Sequence, residues 1–336
     1  MARLKDNIYK RKQKLKAKKE KKFVLVKKVF LIIVLVVVLF SSFKIYQSIR
    51  RSSWQDDSRF NIVFDSLPVL IASFGNSNHE VNFLLIPEGT FIETTHGYGS
   101  CRAESISRLG KINNRGGEFL SESLQNYLGL PLDSYILSSS NLVFENNPTS
   151  LKSYLLANFS FFSKAREEAS LNNWDLLRLW WYLKKTNLNK FNVVDLSDTL
   201  ASEEITLADG NKAIKIDPNR LELLITQFFS DNKIKEEDLS ISVLNSTENV
   251  GLASQMANLI KNIGGQIIKI GEVTMVLRDD DYNCEIRSLK EHKNSYTVRK
   301  ISKIFNCRWT GDDLLSERSS LVIIVKENYW KLLNLP

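Results

Sequence analysis

Cysteine, histidine and proline are all scarce in this chain of 336 residues, with three, three and six copies. Three thiols are too few for a disulfide-built scaffold, and no Cys-x-x-Cys pair is present, which argues against a zinc ribbon. His79, His96 and His292 stand far apart, so none is spaced with another as a metal-ligand pair, and each reads as a surface or packing residue. No Walker loop, no ordered Ser/His/Asp set and no metal-binding helix can be found. Hydrophobic residues make up 43% and charged residues 25% of the chain, values of ordinary globular proteins rather than disordered ones. The length suits two folded units and an anchor.

A basic excess is also missing from most of the chain. The net charge is +8, yet residues 1–28 alone hold 13 Lys or Arg against Asp6 and Glu20. The remaining 308 residues carry 33 basic and 36 acidic side chains. The basicity therefore belongs to one tail, and nothing in the folded part favours nucleic acid; a charge block of this kind marks a topology signal or an interaction tail.

Val29–Phe40 is an unbroken apolar run, and with Phe23–Val26 and the flanking Lys27 and Lys28 it forms a stretch of 21 residues, 23–43. That is long enough to cross a bilayer if the lysines snorkel to the headgroups. A cleaved signal peptide fits poorly, because Ser-Ser-Phe-Lys follows where a small-residue cleavage site should stand. A core helix of a soluble domain fits poorly after a lysine-rich arm. The charge bias across the span predicts a cytoplasmic tail, 1–22, and an extracytoplasmic remainder, with the lysines free to meet anionic membrane lipid. Residues 44–59 are polar and read as a linker.

Phe60–Phe64, Val69–Phe74 and Val81–Ile86 are β-branched and aromatic runs separated by turn residues, and predict three strands, the last two forming a hairpin. Gly117–Leu128 places Leu120, Leu124, Tyr127 and Leu128 on one helical face, with Gly129 and Pro131 as stops. Residues 138–150 read as loop, and 151–166 and 171–185 as helices. The second helix is apolar on most of its circumference; a core helix is the favoured reading, and a lipid channel lined by Trp174, Trp180, Trp181 and Tyr182 the alternative. Phe191–Leu196 reads as strand, 208–211 as a hairpin turn and Arg220–Phe229 as helix. The charged stretch 232–238 reads as an exposed boundary. Beyond it, strands at 239–244, 266–270, 284–289 and 321–325 alternate with helices at 250–263 and 296–305. The fold class is therefore α/β: an N-terminal transmembrane helix, a mixed-sheet domain over 60–238 and a small α/β domain over 239–333.

Ile241-Ser242-Val243-Leu244-Asn245, Gly251-Leu252-Ala253 and Gly264-Gly265 resemble the C-terminal domain that accompanies LytR-CpsA-Psr envelope proteins. Residues 60–238 are similar to that family's catalytic domain in more diverged form. Ile86-Pro87-Glu88-Gly89-Thr90 stands where the family has Ile-Pro-Arg-Asp-Thr. Lys111-Ile112-Asn113 with Gly116-Gly117, and Leu128-Gly129 with Asp133-Ser134-Tyr135, resemble the stretches that follow. The resemblance implies a bacterial cell-envelope protein whose relatives move glycopolymers from a polyprenyl pyrophosphate carrier to peptidoglycan, using magnesium, carboxylates and arginines.

The departures bear on chemistry. Glu88 replaces an arginine and Gly89 an aspartate. A guanidinium fork grips phosphate, whereas a glutamate repels it. Asp65 is the nearest match to the family's early acid. The candidate ligand-binding residues are Asp65, Glu88, Arg102, Arg108, Lys111 and Arg115, with no confident catalytic residue and no metal ligand. The favoured expectation is a non-catalytic envelope protein that binds a wall or lipid-linked glycan without a cofactor. The alternatives are an active transferase, requiring magnesium, with Arg102, Arg108, Lys111 and Arg115 as replacement charge, and a membrane-bound regulator or scaffold. Cys284 and Cys307 are a candidate disulfide for an oxidising compartment, with Cys101 left over and packed.

Overall fold

A computed structural model of the chain describes residues 31, 33–36, 38–54, 58–75, 79–138, 144–160, 166–207, 210–274, 281–313 and 317–334. The basic tail 1–22 lies outside them. The chain forms two compact units, Met1–Ser52 and Ser53–Pro336.

In the first unit, helix α1 (Ile33–Arg50) is long and apolar enough to cross a membrane, and none of that stretch is buried within the protein. The sequence placed the span at 23–43, of which 23–30 lie outside the described residues. The helix also continues through Lys44 to Arg50, into the segment expected to be linker. Phe43, Tyr46 and Ile49 continue an apolar stripe at helical spacing, and no glycine or proline interrupts it.

The second unit contains two large sheets. The first is built from β1 (Phe60–Asp65), β2 (Val69–Phe74) and β3 (Val81–Ile86), then β6 (Ser134–Ser138), β7 (Arg166–Ala169) and β8 (Phe191–Asp195), in the order β7-β6-β1-β2-β3-β8. A small hairpin, β4 (Phe91–Glu93) with β5 (Ser100–Arg102), branches off after β3. Strands β1, β3, β6 and β8 run one way and β2 and β7 the other, so the sheet is mixed. Every residue of β2 and β3 is buried, because helices cover both faces. Phe60, Phe64, Phe74 and Phe83 meet α4 (Pro148–Phe159) and α5 (Asn173–Lys185) on one face. Val63, Ile71 and Leu84 meet α2 (Ile106–Lys111), α3 (Gly116–Leu128) and α6 (Pro218–Phe229) on the other. A second hairpin pairs β9 (Ser202–Thr206) with β10 (Lys212–Ile216) across the expected turn, of which residues 208 and 209 lie outside the described residues.

The other sheet follows α7 (Asn232–Glu237). Its order is β12-β11-β15-β13-β14, from β11 (Ser240–Asn245), β12 (Gln266–Glu272), β13 (Cys284–Ser288), β14 (Cys307–Gly311) and β15 (Leu321–Val325). Helices α8 (Leu252–Asn262) and α9 (Tyr296–Phe305) pack on one face around Ile241, Met256, Ile286 and Ile323. Helix α10 (Glu327–Asn334) adds Tyr329 to that cluster. Cys284 lies opposite Cys307 on paired parallel strands, and their sulfurs are joined in a disulfide.

Several expectations are corrected. The loop expected at 138–150 is bounded by β6, which runs to Ser138, and by α4, which begins at Pro148 with Asn147 as its cap; residues 139–143 lie outside the described residues. The helix expected over 151–166 stops at Phe159, and Arg166 opens a strand. Residues 232–238 are largely exposed, as expected, but they form a short helix capped by Asp231 that buries Ile234. Helix α5 is amphipathic rather than apolar all round. Leu176, Leu179 and Leu183 fill the core while Trp181 is 52% exposed, and the face toward the sheet packs into the core cluster. Strand β14 and helix α10 were not anticipated.

Candidate functional site

Parallel strands deliver their C-terminal ends to one rim of a sheet, where ligands of α/β proteins gather. Here that rim carries Asp65 from β1, the turn after β3, Ser138 from β6 and Asp195 from β8. Asp65 accepts a hydrogen bond of 2.7 Å from Ser107 Oγ on α2. Burial raises its carboxyl above the usual carboxylate range, the Ser107 bond and the nearby Lys111 and Arg108 charges oppose that rise, and Glu167 adds to it. Beside it, Tyr154 Oη lies 2.6 Å from Ser138 Oγ, and burial pushes the phenol up to about 12. Asp195 accepts from Asn146 Nδ2 at 2.8 Å.

The turn Pro87–Thr90 explains one departure from the family pattern. Thr90 closes it with both its N–H and its hydroxyl on the Pro87 carbonyl, at 3.3 and 2.7 Å. Gly89 has φ +77° and sends its N–H to both carboxylate oxygens of Glu104 at 3.3 Å. A side chain is strained in that conformation, and an aspartate there would add a second anion beside Glu104. Glu88 is exposed at the turn's outer corner.

The expected cations do not gather on Glu88. Arg102 is exposed and lies over the Phe91 ring at 6.0 Å. Arg108 donates weakly to Ser105 at 3.5 Å. Lys111 pairs with Glu167 at 3.2 Å, both half-exposed. Arg115 is held by Glu118 at 2.9 Å and Glu122 at 3.2 Å. Only Arg108 and Lys111 bear on Asp65. Among the described residues no group of three or more His, Cys, Asp or Glu is placed to hold a metal ion. Asp65 would offer magnesium one carboxylate, and burial, which disfavours its charged form, opposes that role. Cys101 is half-buried, and burial and then Glu104 raise its thiol, so it is a packed thiol rather than a reactive one.

One residue read from the sequence as a surface or packing histidine lines a cavity. His96 sits at the tip of the β4–β5 hairpin, its side chain 3% exposed, with Nε2 2.9 Å from Glu122 Oε2. Its Nδ1 is buried and has no hydrogen-bond partner among the described residues. His96 lines a cavity of about 360 Å³ with Tyr98, Leu109, Asn113, Arg115 and Phe119. Asn113 Nδ2 donates to Tyr98 Oη at 2.7 Å, and the Tyr98 and Phe119 rings meet edge-on at 5.3 Å. Three of the residues singled out from the sequence, Asp65, Arg108 and Lys111, thus sit near one another on the rim, while Arg115 belongs to this neighbouring cavity.

Neither a family model nor a curated protein matches the sequence. Solved structures do match in part. Bacillus subtilis TagT is 12% identical with a TM-score of 0.37, covering 51% of this chain and 89% of its own. Bacillus subtilis TagV is 11% identical with a TM-score of 0.37, covering 50% and 94%. The Lin1025 protein of Listeria innocua is 12% identical with a TM-score of 0.36, covering 51% and 97%.

Proposed function

We propose that this chain is a membrane-anchored envelope protein whose α/β ectodomain binds a wall or lipid-linked glycan and does not transfer it. The observation that carries the reading is the fate of the rim cations. Arg102, Arg108, Lys111 and Arg115 go to four different local partners, and the position that should grip a pyrophosphate is an exposed glutamate. Phosphoryl transfer depends on several cations converging on one group, and the family motifs survive here as scaffold without that convergence. Helix α1 supplies the anchor, and the lysine-rich tail sets the cytoplasmic side. The Cys284–Cys307 disulfide fits an oxidising exterior.

One observation favours an active transferase instead: Asp65 is a carboxyl with a raised pKa on the rim where strand ends meet, with two cations in reach. One experiment separates the two readings. The full chain in nanodiscs is given a polyprenyl-pyrophosphate-linked glycan, peptidoglycan sacculi and magnesium. The expected result is retention of the glycan with no covalent transfer to the sacculi. Transfer that Asp65→Ala abolishes would establish the enzyme.

A further inference from the structure

We infer that the cavity beneath the β4–β5 hairpin tip takes the ring of a neutral pyranose, stacked on Tyr98 with one ring hydroxyl donating to His96 Nδ1. The inference rests on the glycan-binding reading and names the point of contact.

Charge comes first. Among the described residues Arg115 is the one Lys or Arg lining the cavity, and Glu118 and Glu122 already occupy it at 2.9 and 3.2 Å. An incoming phosphate would meet two carboxylates as well as the guanidinium, and an incoming cation would have to compete with Arg115 for both. The cavity therefore suits an uncharged group.

His96 then fixes the polarity. A carboxylate only accepts, so the imidazole nitrogen facing Glu122 carries a proton. In the neutral ring the other nitrogen, Nδ1, is a lone-pair acceptor, and it is buried without a partner among the described residues. A buried acceptor of this kind calls for a donor, which a purely apolar ligand would not bring and a hydroxyl would. The walls supply the rest. Tyr98, 45% exposed, offers a ring face, Phe119 and Leu109 form an apolar floor, and Asn113 places an amide beside the Tyr98 hydroxyl. A pyranose has a C–H face and a hydroxyl edge, which such a mixed wall matches.

Access is built into the hairpin. Gly97 and Gly99 have φ +72° and +75° with open space around them. The tip is tied down by the Thr94 N–H on the Gly99 carbonyl at 3.0 Å and the His96 N–H on the Leu333 carbonyl at 3.3 Å. Tyr98, between these two glycines, is half-exposed, so a ring reaches its face from solvent.

Saturation-transfer NMR on the full chain in deuterated detergent, with methyl β-glucopyranoside as the probe, tests this. Saturation should reach the sugar ring protons. Tyr98→Ala should weaken binding roughly tenfold and Tyr98→Phe less than about twofold. His96→Phe should weaken it roughly fivefold, and inorganic pyrophosphate should not displace the sugar. Tyr98 is half-exposed, so Tyr98→Ala should keep the wild-type melting profile even if His96→Phe does not. Displacement by pyrophosphate, or binding indifferent to Tyr98→Ala, overturns the inference. Sacculus or lipid-linked glycan binding that persists unchanged in Tyr98→Ala, with no sugar signal at the cavity, removes the cavity assignment and leaves the broader reading standing. A wild-type chain that retains no glycan polymer removes that broader reading, while a Tyr98-dependent sugar signal would still uphold the cavity.

Discussion

The two rims of the six-stranded sheet handle charge in opposite ways. At the rim where β1 and β6 begin, charged groups are buried and held by hydrogen bonds. Lys300, 7% exposed, donates to the Arg59 carbonyl at 2.7 Å and pairs with Asp133 at 3.6 Å. Asp133 accepts from the Asn61 N–H at 2.8 Å. Asp231, 6% exposed, accepts from the Arg59 and Lys233 N–H groups at 3.3 and 3.1 Å and from the Tyr296 hydroxyl. Burial pulls the Arg59 guanidinium below its ordinary value, and Asp231 opposes that pull. At the opposite rim the charges of Lys111 and Glu167 are half in water. A buried charge persists only when its bonds are complete, whereas an exposed pair is worth little and exchanges partners readily. The closed rim therefore locks α7 and α9 onto the first sheet, and the open rim keeps charges available to a ligand.

Breaking the closed rim should have the largest effect. Asp231→Ala leaves three donors without their acceptor and removes the carboxylate that offsets burial of the Arg59 guanidinium, and should cost about 3–5 kcal/mol in urea denaturation. Lys111→Ala at the open rim should cost less than about 0.5 kcal/mol in the same measurement. Equal losses would erase the distinction between the rims. Reducing the disulfide comes next. Cys284 and Cys307 are 23 positions apart, and opening a loop of that size should lower stability by about 3 kcal/mol. Because the bond closes the β13–α9–β14 crossover, the loss should spread to the closed rim, and amide exchange at Tyr296 and Thr297 should accelerate on reduction. Both N–H groups are held by Glu237, at 2.7 and 2.8 Å. Gly89→Asp at the open rim should destabilise by about 1 kcal/mol from the left-handed backbone alone. A stabilised Gly89→Asp variant would mean that the turn was not shaped for glycine.

How much of this was legible depended on whether the signal was local. Val69–Phe74 and Val81–Ile86 stand out as strands because both faces are buried and the residues are apolar apart from Ser73 and Asn82. Asp65 could be found because it is the nearest match to the early acid of the family pattern that the sequence resembles. The sequences Arg-Glu-Glu-Ala of β7 and Cys-Arg-Trp-Thr-Gly of β14 carry no strand pattern, since these edge strands owe their form to the ladder of a neighbour. The cavity was invisible for the same reason. His96 and Glu122 lie 26 positions apart and meet only once the hairpin folds over α3. The rim cations looked like one cluster because Arg102, Arg108, Lys111 and Arg115 are close in sequence, yet a short helix and two turns aim them apart.

The smallest expected effect is a change of slope, and it probes whether burial or the neighbouring cations govern the open rim. Burial holds the Asp65 carboxyl above its usual range against Ser107, Lys111 and Arg108. A carboxyl raised in the folded state binds more protons there than in the unfolded chain. It costs no stability below the ordinary carboxylate value, and stability then falls as pH rises through the window up to the raised value. Asp65→Asn removes that titration while keeping an acceptor for Ser107. The melting temperature of the variant relative to wild type should therefore be more favourable at pH 7 than at pH 3. The reverse order would mean that Arg108 and Lys111 hold Asp65 ionised, as a site built to carry a metal-bound phosphate requires, and the transferase reading would then gain the ground that the scattered cations deny it.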